Sequence, residues 1–146
     1  MKLLIINGPN LNMLGIREPQ IYGSVSYDQL IKNINDYASS QGITVDTRQS
    51  NHEGTLVDWI QEAYYQKFDG IVINPGAYTH TSIALADAIK AIQPIPVVEV
   101  HVSKIDEREE FRKLSYSAPY CIAQIQGEGL DGYIHAIQLI SEHLKK

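Results

Sequence analysis

Apolar positions along this chain follow two rhythms, and the changes between them mark out the elements. Lys2-Leu3-Leu4-Ile5-Ile6 is a short apolar run that predicts a buried first strand. Ser26 followed by Gln29 fits a capping box, with the serine accepting from the first turn and the glutamine reaching back. Leu30, Ile31, Ile34, Tyr37 and Ala38 then recur at helical spacing, and Gly42 supplies the stop. Ile43, Val45 and Thr47 alternate with polar residues, as a half-covered strand does. Ser50-Asn51-His52-Glu53-Gly54 breaks that strand, and Leu56, Val57, Ile60, Ala63 and Tyr64 build the next helix. A strand follows at Gly70-Ile71-Val72-Ile73-Asn74, then the loop Pro75-Gly76-Ala77-Tyr78-Thr79-His80, then helical spacing over 82–92. Pro94 and Pro96 punctuate the approach to a fourth strand, Val97-Val98-Glu99-Val100-His101. The pattern closes with a short helix around 106–114, a strand around 121–126 and an amphipathic helix from about 132 to 144.

Five strands alternating with helices build βαβ units, and therefore an α/β fold with a parallel sheet and helices on both faces. The expected arrangement is a flavodoxin-like three-layer sandwich with strand order 2-1-3-4-5. No internal repeat, low-complexity tract or linker interrupts the pattern, so residues 1–146 are expected to form a single domain. In such sheets ligands bind beyond the carboxyl ends of the strands, where the winding reverses between strands 1 and 3. The polar clusters obey this rule. Asn10, Arg17 and Tyr22 follow strand 1, Asn74 and His80 follow strand 3, and His101 and Ser103 end strand 4.

The connection from Ile6 to Gly23 is too polar, and too broken by Gly8, Pro9, Gly15, Pro19 and Gly23, to continue as strand or helix. A loop of that length inside a compact domain is usually functional. Leu11, Met13, Leu14, Ile16 and Ile21 give it something to pack. It reads as an active-site loop with a lid from about 17 to 24.

Composition narrows the classes. Twelve basic against 17 acidic side chains leave a net charge of −5, which disfavours a nucleic-acid partner. Cys121 is the only cysteine, so no disulfide forms within the chain, and its apolar neighbours make it a small core residue. The amino-terminal apolar run spans five residues, too short for a signal-peptide core or a membrane span. A cytoplasmic protein without a membrane partner is the default expectation.

Several constellations carry chemistry. Glu99 and His101 are two apart on a strand and share a face. A carboxylate beside a histidine orients the ring, fixes its tautomer and raises its pKa, which suits a general acid; a structural ion pair at a strand end is the alternative. Arg17 and Tyr22 lie five apart. A tyrosine, with a pKa of about 10, is a base only where a cation favours the tyrosinate, and Arg17 is placed to be that cation. Most of the nine tyrosines are packing residues. Arg108 and Arg112, four apart, would share a helix face and suit a carboxylate, or else form a solvated face with Glu109 and Glu110. His52-Glu53, His80 and the Glu99/His101 pair invite a metal reading, yet no His-Glu-x-x-His spacing exists and no metal is expected. Gly127-Glu128-Gly129-Leu130-Asp131-Gly132 matches a dinucleotide fingerprint literally. It follows the last strand, so no later strand can carry a ribose-binding acid, and its acids would face the pyrophosphate. Those glycines read as a turn.

Four segments in order resemble the type II 3-dehydroquinate dehydratases along essentially the whole chain. The first is Asn7-Gly8-Pro9-Asn10-Leu11-Asn12 with Arg17-Glu18-Pro19-Gln20-Ile21-Tyr22-Gly23, and the second is Gln49-Ser50-Asn51-His52-Glu53-Gly54. The others are Asn74-Pro75-Gly76-Ala77-Tyr78-Thr79-His80-Thr81-Ser82 and Glu99-Val100-His101-Val102-Ser103. The resemblance implies a flavodoxin-like subunit, assembled as a homododecamer of four trimers, with no metal or organic cofactor. It implies dehydration of 3-dehydroquinate to 3-dehydroshikimate, in chorismate and aromatic amino acid biosynthesis or in quinate catabolism. By the same resemblance Tyr22 is the base, Arg17 stabilises its anion, and His101, oriented by Glu99, protonates the leaving hydroxyl. Asn10 would hold a water at the enolate oxygen. Asn74, His80 and Arg112 would bind substrate hydroxyls, and Ser103 with the backbone at Val102 would clasp the carboxylate. Asp87 would reach into a neighbouring subunit's site, and Arg108 would tether the lid.

Two places depart from that pattern. Lys104 stands where an asparagine is expected, and Arg112-Lys113-Leu114-Ser115 lacks a histidine. Both bear on substrate affinity and loop closure rather than on the reacting groups. Competing readings are a non-enzymatic flavodoxin-like ligand-binding module, which bound flavin would colour yellow, and a metal-dependent hydrolase, which chelation would inactivate.

Overall fold

The computed structural model describes residues 1–22 and 24–146, without the side chain of Tyr22. Its strands are β1 (Lys2–Asn7), β2 (Thr44–Gln49), β3 (Gly70–Asn74), β4 (Val97–His101) and β5 (Ala123–Gln126). They form one parallel sheet in the order β2-β1-β3-β4-β5, the expected arrangement. The opening connection contains a single helical turn, α1 (Pro19–Tyr22). The longer helices are α2 (Tyr27–Ser40), α3 (Glu53–Tyr65), α4 (Ile83–Ala91) and α5 (Asp131–Leu144).

Side chains alternate across a strand, and β1 uses both directions. Leu3 and Ile5 pack with Leu30 and Ile34 of α2 and with Tyr133, Ala136, Ile137 and Ile140 of α5. Leu4 and Ile6 pack on the other face with Leu56, Ile60 and Ala63 of α3 and Leu85, Ala88 and Ile89 of α4. Each fully buried Leu or Ile contributes about 2 kcal/mol relative to exposure. The unbroken apolar run of β1 is the signature of this two-sided burial.

Local signals hold in part. Ser26 Oγ accepts from the Gln29 N–H at 3.1 Å, but the Gln29 amide turns to Asn33 Oδ1 at 2.8 Å rather than reaching back. Half of the capping box forms because Asn33 offers an acceptor one turn on. The end of α2 follows expectation: Gly42 has φ +68°, Ile43 N–H bonds Ala38 C=O at 2.9 Å, and Gly42 N–H bonds Ser39 C=O at 3.2 Å.

The expected helix at 106–114 is absent. Two 3₁₀ turns, Ile105–Glu107 and Glu110–Lys113, flank an extended Arg108 and Glu109. Phe111 and Leu114 are exposed, so no apolar face is buried that would offset the cost of ordering a helix. Arg108 and Arg112 therefore do not share a helix face. A further turn, Ala118–Tyr120, delays β5 to Ala123 and leaves Cys121 half-buried against the core beneath α3 and α4. Burial pushes its thiol pKa up, which keeps it protonated and inert. Among the described residues, no helix is long and apolar enough to cross a membrane.

What positions the site is a close meeting of two loops. Gly8 N–H donates to Asn74 C=O at 2.8 Å, joining the ends of β1 and β3. A Cβ on Gly8 would lie 2.6 Å from Pro75 O, and one on Gly76 (φ +60°) would lie 3.0 Å from Pro9 O. Backbone occupies the space on both sides, so neither neighbour can yield cheaply. Gly8→Ala is expected to cost about 2 kcal/mol of stability by overpacking, read as a lower urea midpoint at unchanged slope.

Candidate active site

A cavity opens beyond the carboxyl ends of β1, β3 and β4. Asn10, Leu11, Leu14 and Arg17 enter from the first connection, and Asn74, Gly76, Ala77 and His80 from the third. His101, Val102 and Ser103 enter from the end of β4, and Ile105, Arg108 and Arg112 from the turns that follow. Nine of the residues singled out in the sequence thus share one wall: Asn10, Arg17, Asn74, His80, His101, Val102, Ser103, Arg108 and Arg112. Arg108 reaches it from the extended link between the two turns and Arg112 from the second turn. The Tyr22 side chain lies outside the described residues. Asp87 is exposed on α4 and does not line the cavity. Lys104 and Lys113 do not line it either; they pair with Glu107 at 3.2 Å and Glu110 at 3.0 Å. A wider hollow at the opposite, amino ends of the strands includes Met1, Asp69 and Glu142 but no histidine or arginine in its described lining.

Three guanidinium groups around one cavity suit an anionic ligand. Arg17 pairs with Glu18 at 3.4 Å, Arg108 Nη1 donates to Ser103 Oγ at 3.4 Å, and Arg112 pairs with Glu109.

Behind the wall sits Glu99, with no solvent exposure. His101 Nε2 lies 2.9 Å from Glu99 Oε2. Gln124 Nε2 donates to the same oxygen at 2.7 Å, Thr79 Oγ1 to Oε1 at 3.0 Å, and Ser115 Oγ lies 3.0–3.1 Å from both. Ser117 also donates to Oε1. Burial by itself would raise the carboxyl pKa. The hydrogen bonds from His101, Ser117 and Gln124, with the charge of His101, outweigh it and hold the group at about 2. An ionised carboxylate only accepts, so His101 presents its Nε2–H to Glu99 and Nδ1 is the ring nitrogen that Glu99 does not hold.

His80 Nδ1 lies 2.7 Å from the Leu114 carbonyl, which only accepts. Nδ1 therefore carries the proton, and Nε2 of the neutral ring is an acceptor. Desolvation lowers the His80 pKa, and the charges of His101 and Arg112 act the same way, so the ring is neutral at physiological pH. Asn74 is held by a buried chain: its Nδ2 donates to Tyr133 Oη at 3.0 Å, and that hydroxyl donates to Asn7 Oδ1 at 2.5 Å. Its Oδ1 accepts from Gly76 N–H at 3.1 Å. Among the described residues, no group of three or more His, Cys, Asp or Glu side chains is placed to hold a metal ion.

Sequence reasoning passed over Thr79, Ser115, Ser117, Gln124 and Tyr133. Only Gln124 left a signal, because the β4–β5 register sets it directly opposite Glu99. A buried strand carboxylate calls for a polar neighbour across the ladder.

A family model described as dehydroquinase class II matches residues 1–141. The chain is 56% identical over 146 residues to a 3-dehydroquinate dehydratase from Clostridium acetobutylicum, covering 100% of each. It is 55% identical over 148 residues to one from Fusobacterium nucleatum, again with 100% coverage of each. The crystal structure of the type II dehydroquinase from Butyrivibrio crossotus superposes with a TM-score of 0.96 at 55% identity, covering 97% of each chain.

Glu99 makes stability depend on acid. Its folded pKa of about 2 lies below its ordinary 4.5, so its contribution is present above about pH 4.5 and disappears as pH falls toward 2. The expected size is about 3 kcal/mol. Urea unfolding between about pH 5 and pH 2 is expected to show that loss, with a flatter profile in Glu99→Gln; equal slopes would remove Glu99 as its source.

Proposed function

The chain belongs to the dehydroquinase class II family, and from that premise we propose that it eliminates water from 3-dehydroquinate through an enolate, giving 3-dehydroshikimate. The observation that carries this reading is that His101, held by ionised Glu99, lines one cavity with Arg17 and Asn10. Membership of an enzyme family leaves no room for the non-enzymatic binding module.

Tyr22, as tyrosinate, takes a proton from the carbon beside the ketone, and the C–H electron pair passes into the enolate. Arg17 stabilises the tyrosinate and the developing charge. A water held by Asn10 donates to the enolate oxygen. Collapse of the enolate forms the carbon–carbon double bond and breaks the bond to the departing hydroxyl. His101 supplies the proton from Nδ1, and water leaves. Glu99 keeps the imidazole in the orientation that aims Nδ1 away from the carboxylate. Neutral His80 accepts from a substrate hydroxyl at Nε2, and Asn74 and Arg112 hold other hydroxyls. Ser103 and the backbone at Val102 clasp the substrate carboxylate, and Arg108, bonded to Ser103, tethers the lid. The same reaction serves chorismate biosynthesis and quinate breakdown.

Asp87 completes a neighbour's site within a trimer, and four trimers form the dodecamer. This is supported by its exposure on α4, one turn from the exposed Ile83, and by its distance from the cavity of its own chain.

Chelator-treated protein given 3-dehydroquinate is expected to develop the ultraviolet absorbance of a conjugated enone. Tyr22→Phe is expected to lower kcat by about a thousandfold or more with little change in KM, because it removes the base and little contact. A tenfold loss in both binding and rate would reduce Tyr22 to positioning. Asp87→Ala is expected to lower activity through the interface; a fully active isolated monomer would sink that role.

A further inference from the structure

Gln49-Ser50-Asn51 has no residue in the cavity wall, yet it holds one that does. Asn10 has φ +70° and ψ −2°, a left-handed conformation that asparagine tolerates better than most residues and that its neighbours hold here. Its N–H donates to Asn51 Oδ1 at 3.1 Å. Gln49 Nε2 donates to the same oxygen at 3.1 Å and to Gly8 C=O at 3.2 Å. The Tyr78 hydroxyl donates to the Asn51 carbonyl at 2.8 Å. A backbone N–H only donates and a carbonyl only accepts, so both amide orientations are fixed by their partners. Asn51 therefore ties together the connections that follow β1, β2 and β3.

We propose that Asn51, oriented by Gln49, is a positioning residue for the dehydration: it fixes the Asn10 backbone so that the Asn10 side chain faces the reacting enolate. This rests on the role given to Asn10 above. Asn51 touches no substrate, and its influence passes through a group that matters once charge develops on the enolate oxygen. Its loss therefore falls on kcat rather than on KM. The tether also explains why this turn stays next to the Gly76–His80 turn, to which Tyr78 belongs.

The test combines kinetics with an amide readout that needs no substrate. Asn51→Ala is expected to lower kcat about tenfold with KM within about twofold of wild type. Asn51→Asp keeps an acceptor oxygen in place and is expected to recover kcat to within about threefold. Asn10→Gly suits the left-handed backbone, and in that background Asn51→Ala is expected to add less than about a twofold loss. Hydrogen exchange at the Asn10 amide is expected to quicken about tenfold in Asn51→Ala and not in Asn51→Asp.

Unchanged Asn10 exchange in Asn51→Ala, or a full further loss of kcat in the Asn10→Gly background, overturns the proposal. A slow Asn10→Gly beside a fully active Asn51→Ala overturns it too. Wild type inert toward 3-dehydroquinate fails the dehydratase reading instead, and the amide exchange then decides the tether alone.

Discussion

A carboxylate buried without solvent contact is costly unless every lone pair finds a donor. Glu99 is such a group, and five side chains from four parts of the chain converge on it. Thr79 comes from the turn after β3, His101 from the same strand, Ser115 and Ser117 from the segment beyond Arg112, and Gln124 from β5. Satisfying one anion therefore fixes the mutual placement of the elements that wall the cavity. The carboxylate also accepts His101 Nε2–H, which leaves Nδ1 as the ring nitrogen that it does not hold. One interaction orders the fold locally and fixes the orientation of the His101 ring.

The second constraint is steric. Parallel strands place their carboxyl ends side by side, and reversal of winding between β1 and β3 leaves a crevice there. Gly8 and Gly76 let the two connections pack backbone against backbone. Asn10 and Arg17 on one connection and Asn74 and His80 on the other are thereby brought within reach of a small molecule. Buried polar chains, such as Asn74–Tyr133–Asn7, then hold individual side chains against that frame. Polar groups held in this way need little rearrangement to meet a polar ligand.

Where sequence and structure part, the surroundings of the residues give the reason. At 106–114 the spacing predicts a helix, but Phe111 and Leu114 stay exposed, no apolar face is buried there, and the chain settles into short turns. Gln29 satisfied a capping motif on paper, yet its amide prefers Asn33 on the same exposed face. Neither difference disturbs the cavity, because Arg108 in the extended link and Arg112 in the following turn both reach it.

The sequence by itself determined the alternation of strands and helices, the parallel sheet that follows from it, and the polar residues at the strand ends. These depend on period, glycine and proline placement, and short motifs, all of which are local. Only the tertiary structure decided which polar groups answer one another. Thr79, Ser115 and Ser117 are unremarkable hydroxyls until the fold sets them around Glu99. Tyr133 looks like a core aromatic until its hydroxyl is found between two asparagines. Hydrogen-bond partners far apart in sequence leave no periodic trace, and long-range packing alone assigns them.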